Sequence, residues 1–518
     1  MKIAMIMPQG TLQYGHRAYI TRQGETDEEG GQVGYVMNYA LELAQQGHQI
    51  HIYSRDYNNR APWIEAPKEY PGLSIIHIPT SASPDIEKEN FYPYYPEWLA
   101  GAIGQIEQNG FSYDVINGHY ADGMFMAARL ADYFESQNGQ RALLAGSTHS
   151  LGYAKISAVA QKLAGCVEKE HLKQAFAKAA QTYNFRVRLG TESACIPEAD
   201  IILRVSGAEE HLVRKYGYGG DIVLMPGGMN PEIFHPFSIK EKAAQRRKVL
   251  EFLDSSADSD TINWQKAKIV FDVGRMNEQK GVFQAVKAMR KVIEQDKNAV
   301  FVFAGGKNPP KPGEETEVYN KCMDYARKHG YADRIVFTGK LEHETIVKIY
   351  NVADAALFPQ LLEPYGMVII EAAACGVPVI VSKKAGAAED LEDGVQALHV
   401  NPYDTDETAG AVLRVLTDPN FAKTLAENGA KRAAEFTWAN RARCYVDVLQ
   451  NVTPKTLQTH TSHYPAKRFM GHARGAMTSL MPAFQTTTTD KDRLDKAENL
   501  ISAALDSNHP RRNTPKTP

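Results

Sequence analysis

Glu363 and Glu371 stand eight positions apart in the string EPYGMVIIEAAACGVPVI, Glu363 to Ile380. Pro364 suits a helix entrance, where its missing N–H costs nothing, and Gly366 lets the backbone approach a ligand closely. The amides near Gly366, Met367 and Val368 then open a helix N-terminus, a site suited to phosphate. Glu363 lies at the mouth and Glu371 about two turns in, so one carboxylate can reach a sugar and the other a ribose. The plainer reading is a solvated Glu ahead of a core helix. A second string, GRMNEQKG (Gly274 to Gly281), puts a guanidinium and an ammonium five residues apart on one loop. Arg275 and Lys280 can both reach a diphosphate there and neutralise the charge that grows on a departing group. Loops bearing Arg and Lys are common, so this pair alone has little specificity.

The elements that must position these groups follow one grammar, used twice. The first half opens with an apolar strand, Lys2 to Met7. Val33, Val36, Met37, Ala40, Leu41 and Ala44 then recur at helical spacing, Gly47 ends the helix, and HQIHIYS (His48 to Ser54) supplies the next strand. Parallel strands require a crossover of this kind. SIIHIP, YDVINGHY, ALLAGSTHS, ADIILRVS and IVLMPGG continue the series. After Pro226 to Pro236 and a charged, poorly apolar segment ending near Trp264, the grammar restarts with KIVFDVGR and runs through AVFVFAGG, RIVFTG, DAALFP, VPVIVS and ALHVNP. The alternation predicts an α/β protein of two Rossmann-like, doubly wound domains facing across a cleft, with ligands beyond the carboxyl ends of the strands. The expected limits are 1–235 for the first domain and 236–452 for the second, whose last helices could pack back on the first. Residues 453–518 are polar, Thr- and Pro-bearing, with one short helical stretch near Arg493 to Leu505, and are expected to form a mobile tail.

Composition narrows the class. The chain has 518 residues, 43% hydrophobic and 23% charged, with a formal net charge of -3. These values fit a globular protein and give no sign of nucleic-acid binding. No stretch approaches the ~20 apolar residues of a membrane span, and MKIAMIMPQG reads as a first strand and not as a signal peptide. The five cysteines are widely spaced without a C-x-x-C pair, which argues against a disulfide framework or a zinc site and for a cytoplasmic setting. The D-x-D sequences at Asp258 to Asp260 and Asp404 to Asp406 read as surface or helix-cap residues, so no metal is expected.

The Glu363 string resembles the E-x7-E region of retaining family 4 glycosyltransferases, with the Glu-Pro-aromatic-Gly opening and the Gly-x-Pro-Val ending. The resemblance implies the GT-B fold. It implies that Glu363 contacts the donor sugar, that Glu371 bonds the ribose, and that Arg275 and Lys280 bind the donor diphosphate. Three segments of the first half, Glu28 to Arg55, Ile116 to Gly123 and Ser147 to Lys155, resemble the sucrose-phosphate synthase branch, which includes mannosylfructose-phosphate synthases. Together the likenesses cover nearly all of residues 1–450. They imply that amides at Gly30 and Gly31 face the leaving phosphate, that Gln32 faces the acceptor, and that His149 contacts the donor sugar near the reacting carbon. His119 and Asp122 would help line the acceptor side. Lys88, Lys155 and Arg188 match basic residues that hold the acceptor phosphate. At the partner arginine position this chain has Val187, with Arg186 displaced by one residue, a departure that bears on the identity of the acceptor.

The resemblance further implies front-side substitution without a carboxylate nucleophile, the departing phosphate helping to remove the acceptor proton, with domain closure excluding water. The expected partners are a nucleotide diphosphate sugar and a small sugar phosphate, with no cofactor. UDP-glucose and GDP-mannose both remain open as donors, since base selectivity depends on the loops near 305–310 and 339–345. Three rivals fit parts of the pattern. A nucleotide-sugar epimerase would need acid and base carboxylates, a non-catalytic binding module would not need the Glu363, Arg275 and Lys280 set, and a dinucleotide oxidoreductase would need the absent G-x-G-x-x-G.

Overall fold

Short apolar runs in this chain become strands buried on both faces, which parallel sheets covered by helices require. The computed structural model describes residues 1–10, 12, 31–58, 61–84, 86–139, 141–156, 180–257, 261–306, 310 and 312–454. The proposed C-terminal tail from 455, Gly30, Cys166 and Asp258 to Asp260 lie outside the described residues.

The first sheet contains β1 (Lys2–Met7), β2 (Gln49–Asp56), β3 (Trp63–Glu65), β4 (Leu73–Pro79), β5 (Val115–His119), β6 (Leu143–Thr148), β7 (Ile201–Arg204) and β8 (Asp221–Leu224), in the order β3-β4-β2-β1-β5-β6-β7-β8. The pairs β1–β2, β2–β4, β1–β5 and β5–β6 are parallel, and the three-residue β3 runs antiparallel to β4. Trp98, Tyr53 and Phe91 are among the largest fully buried side chains of this half.

The second sheet contains β9 (Lys268–Val273), β10 (Ala299–Ala304), β11 (Ile335–Gly339), β12 (Ala355–Phe358), β13 (Val379–Ser382) and β14 (Leu398–Val400), ordered β11-β10-β9-β12-β13-β14. All its pairs are parallel. Every residue of β10, β12 and β13 is buried. The helix Val282–Gln295 buries Val282, Ala285, Val286, Met289, Val292 and Ile293 at helical spacing against this core.

By contact density the chain forms one unit from Met1–Leu203 and Glu209–Val223 and another from Arg204–Ala208 and Leu224–Gln450. The chain thus joins the second unit at Leu224, ahead of the boundary expected at 236. Backbone bonds account for this: Met225 N donates to Arg204 O (2.7 Å) and Met229 N to Phe436 O (2.8 Å). The final helix, Trp438–Gln450, also belongs to the second unit, and Trp438 N donates to Met229 O at 3.2 Å. The charged segment before Trp264 is a helix, Ile239–Ser256, opened by a capping box between Ser238 and Glu241. Its core stripe is only Val249, Leu250 and Leu253, too narrow for apolar periodicity to announce it. Among the described residues no helix is long and apolar enough to cross a membrane.

Candidate active site

Leaving aside the antiparallel edge strand β3, the strand order reverses at one place in each sheet, between β9 and β12 in the second and between β1 and β5 in the first. Loops part on either side of such a point and leave a crevice at the carboxyl ends of the strands. The sequence-derived residues of each domain collect on these ends.

In the second domain Arg275 follows β9 directly, and Lys280 ends the 3-10 turn Glu278–Lys280, which Asn277 caps by accepting a bond from Lys280 N at 3.2 Å. Gly281 then takes a φ of +71°, and a Cβ there would lie 1.9 Å from Pro359 O. Only glycine lets the loop after β9 press against the chain leaving β12. The Lys280 ammonium is thereby brought onto Glu363 as an ion pair and hydrogen bond. Its stem lies over Gly274, and the buried carboxyl of Asp272, with Oδ2 unpaired among the described residues, stands behind it. Burial raises the pKa of Asp272 well above the ordinary value, against the pull of Lys280. Arg275 is exposed, its guanidinium without a hydrogen-bond partner among the described residues.

Glu363 is held in register by its own backbone, N donating to Lys384 O (3.3 Å) and O accepting from Gly386 N (3.0 Å). Gly366 (φ +95°) is the N-cap of the helix Met367–Ala374, so Met367 and Val368 fill the first turn, and their amides lack intrahelical partners. Pro364 lies ahead of the cap and is not the helix entrance that its residue type suggested. The reason is Gly366, whose left-handed backbone turns the chain two residues later. Glu371 keeps part of its surface exposed, but burial of its carboxyl pushes the pKa up to about 7. Asp404 caps the helix Thr405–Thr417, accepting from Asp406 N and Glu407 N at 2.9 Å.

In the first domain His119 ends β5 and His149 follows β6, the neighbouring strand, with His119 opposite Ser147 in the register. Their rings meet through His119 Nδ1 and His149 Nε2 at 3.1 Å. Burial lowers both pKa values, that of His149 to about 3, so both rings are neutral near pH 7. His119 is 1% exposed, which removes it from direct contact with an acceptor in this conformation. Next to it Tyr120 takes a φ of +67°, rare for a bulky residue. This places its ring among three cations: Arg188 Cζ lies 4.4 Å, Lys88 Nζ 5.8 Å and Lys155 Nζ 6.0 Å from the centroid.

Those cations differ in availability. Arg188, 1% exposed, donates Nε to Glu192 (3.1 Å) and its other nitrogens to Tyr120 Oη and Ser150 O. Burial opposes its charge, but Tyr120 and Glu192 outweigh burial and the pKa is raised. Its guanidinium therefore ties Tyr120, Ser150 and Glu192 together, where the sequence suggested an open phosphate ligand. Lys155 pairs with Glu89 at 3.4 Å, and burial, with Arg188 and Lys88 adding to it, lowers its pKa. Asp122 is buried, and burial raises its carboxyl pKa to about 7 against the pull of Lys88 and Arg188. Gln32 and Gly31 open the helix Gly31–Gln45, with Gln32 Nε2 buried and unpaired among the described residues. Sequence reading missed Tyr120, Glu192 and Asp272. Tyr120 alone left a trace, its place inside GHYADG.

Fold and site together define a two-domain α/β protein with cationic side chains near the switch point of each sheet. Two family models match the chain, Glycosyl transferases group 1 over residues 255–432 and Glycosyltransferase Family 4 over residues 29–233. Mannosylfructose-phosphate synthase of Agrobacterium fabrum is 24% identical, over 82% of this chain and 87% of that protein. D-inositol 3-phosphate glycosyltransferase of Corynebacterium diphtheriae is 25% identical, over 85% and 92%. Among solved structures, sucrose-phosphate synthase from Thermosynechococcus elongatus superimposes with a TM-score of 0.65 at 26% identity, over 87% of this chain and 98% of that one. The chain belongs to the family 4 glycosyltransferases of the GT-B fold and is an enzyme that transfers sugar.

Proposed function

We propose that the enzyme moves a hexosyl group, with retention, from a nucleotide diphosphate sugar to a small phosphorylated sugar, with fructose 6-phosphate the first acceptor to try. The observation that carries this reading is the meeting of Lys88, Lys155 and Arg188 around the ring of Tyr120, the residue after His119, whose ring meets His149. Charge-assisted bonds from such a cluster are about twice as strong as neutral ones, so a phosphate can dominate acceptor affinity. The names of the three relatives point the same way, since each contains a phosphorylated sugar or inositol.

In this reading the C1–O bond to the donor phosphate breaks as the acceptor oxygen bonds to C1 on the same face. The acceptor proton passes to the departing phosphate oxygen. Arg275, Lys280 and the amides of Met367 and Val368 meet the charge on that phosphate, and Glu363 and His149 hold the sugar. Glu371 holds the ribose. No metal is assigned a step, and unchanged turnover in EDTA is the expected check. A cytoplasmic setting belongs to the same proposal.

The test pairs UDP-glucose and GDP-mannose in turn with fructose, fructose 6-phosphate and inositol 3-phosphate, and reads products by mass. Equal use of fructose and fructose 6-phosphate would remove the phosphate pocket. Conversion of labelled donor into an epimer without acceptor would replace transfer by epimerisation.

A further inference from the structure

The His119–His149 contact holds more information than a packing distance. Each neutral imidazole has one N–H and one lone pair, so a contact of 3.1 Å between His119 Nδ1 and His149 Nε2 requires one ring to donate and the other to accept. The environment of the remaining nitrogens decides which. His119 Nε2 is buried and has no hydrogen-bond partner among the described residues. If His149 donated, the single proton of His119 would sit on that nitrogen as an orphaned buried N–H. If His119 donates from Nδ1, the orphan is only a lone pair, and a bare buried donor is the rarer defect in folded proteins. His149 is partly exposed, and its Nδ1 has no partner among the described residues. The Tyr35 ring stands edge-on to His149 with centroids 4.8 Å apart and also flanks His119 at 6.2 Å, so the pair has little freedom to rotate.

We propose that His119 is a positioning residue that donates Nδ1–H to His149 Nε2 and so fixes His149 as the Nδ1–H tautomer, presenting a hydrogen-bond donor to its substrate. This rests on the reading in which His149 touches the transferred sugar. It deepens that reading by giving His149 a chemical role. A ring locked with its proton on Nδ1 and its lone pair occupied donates to a sugar oxygen and does not serve as a base. The acceptor proton must then leave by the phosphate.

The tautomer is measured directly in the full-length enzyme by nitrogen NMR of labelled histidine at pH 7, with His149→Gln used to assign the signals. The expected result is a protonated Nδ1 and an unprotonated Nε2 on His149, independent of any activity. The opposite tautomer overturns the proposal. Two substitutions extend the test: His119→Asn keeps an N–H near the position of Nδ1, whereas His119→Asp offers only an acceptor. His119→Asn is expected to keep kcat within a few-fold, and His119→Asp to lower kcat about tenfold with donor KM unchanged, the size of one lost hydrogen bond. Equal losses in both variants would show that the ring merely fills space, and would overturn the proposal. Failure of the wider reading looks different. In that case His149→Gln leaves kcat near wild type while the NMR tautomer stands as assigned.

Discussion

The two domains hold their cations in opposite ways. In the second, the Lys280 ammonium rests on a carboxylate that itself belongs to the site, and Arg275 is exposed. In the first, Arg188 is locked by Glu192, Tyr120 and Ser150. An ion pair between two site residues can open when a diphosphate arrives, because the ammonium exchanges one anion for another. A guanidinium with all its nitrogens engaged cannot do this without breaking its own scaffold. In the proposed reading the same residue type serves chemistry at one switch point and architecture at the other.

The largest effect expected from this contrast is on stability. Arg188→Ala should cost about 3 kcal/mol, because Glu192 would remain buried without its cation. Bonds from Gly152 N (2.9 Å) and Tyr216 Oη soften the loss. Denaturant unfolding measures it, and a variant as stable as wild type would return Arg188 to the role of a free phosphate ligand. Arg275→Ala should instead leave the unfolding midpoint nearly unchanged, and turnover should fall by about 10² to 10³ in both Arg275→Ala and Lys280→Ala. Turnover near wild type in either would take the diphosphate assignment away from that residue.

A smaller effect separates the lysines from the arginine that shares the Tyr120 ring with them. Lys155→Ala and Lys88→Ala should each raise the KM for a phosphorylated acceptor about tenfold, with kcat and the donor KM kept, since each removes one charge-assisted contact. The same substitutions should leave the KM for an unphosphorylated sugar alone. A parallel rise for both acceptors would mean that the lysines shape the pocket without binding phosphate.

How far the sequence could be read follows the same divide. The second-domain residues lie in two unbroken strings, Gly274 to Gly281 and Glu363 to Glu371, where local spacing on a strand-loop-helix unit already determines which groups share a crevice. The first-domain residues come from four separate stretches, around Lys88, His119, His149 and Arg188. Only the folded sheet shows that Lys88 and Lys155 share the ring of Tyr120, or that His119 is buried behind His149. Residue type marked Arg188 as a candidate ligand, but its buried partners Glu192 and Tyr120 depend on tertiary packing that no short motif encodes. The helix Ile239–Ser256 escaped for a related reason: its few buried residues leave charge, not periodicity, as the dominant pattern.

Glu371 offers the finest test, because in the proposed reading its proton and the donor ribose compete for the same carboxyl oxygens. Burial raises its pKa from an ordinary 4.5 to about 7. In the free enzyme the folded state therefore keeps a proton that the unfolded chain gives up, and the contribution to stability is lost as pH rises from about 4.5 through about 7. Donor binding has the opposite sign. Ribose hydroxyls donate best to the ionised carboxylate, whose fraction grows from roughly a tenth at pH 6 to roughly nine tenths at pH 8. Affinity for the intact nucleotide sugar, whose phosphodiester groups do not titrate in this range, should tighten by up to about tenfold over that interval. Glu371→Gln, locked in a neutral form, should bind as weakly at pH 8 as wild type does at pH 6 and show no such slope. Calorimetric titration of both proteins at the two pH values decides it, and a flat wild-type profile, or an equal slope in the variant, would take the ribose away from Glu371.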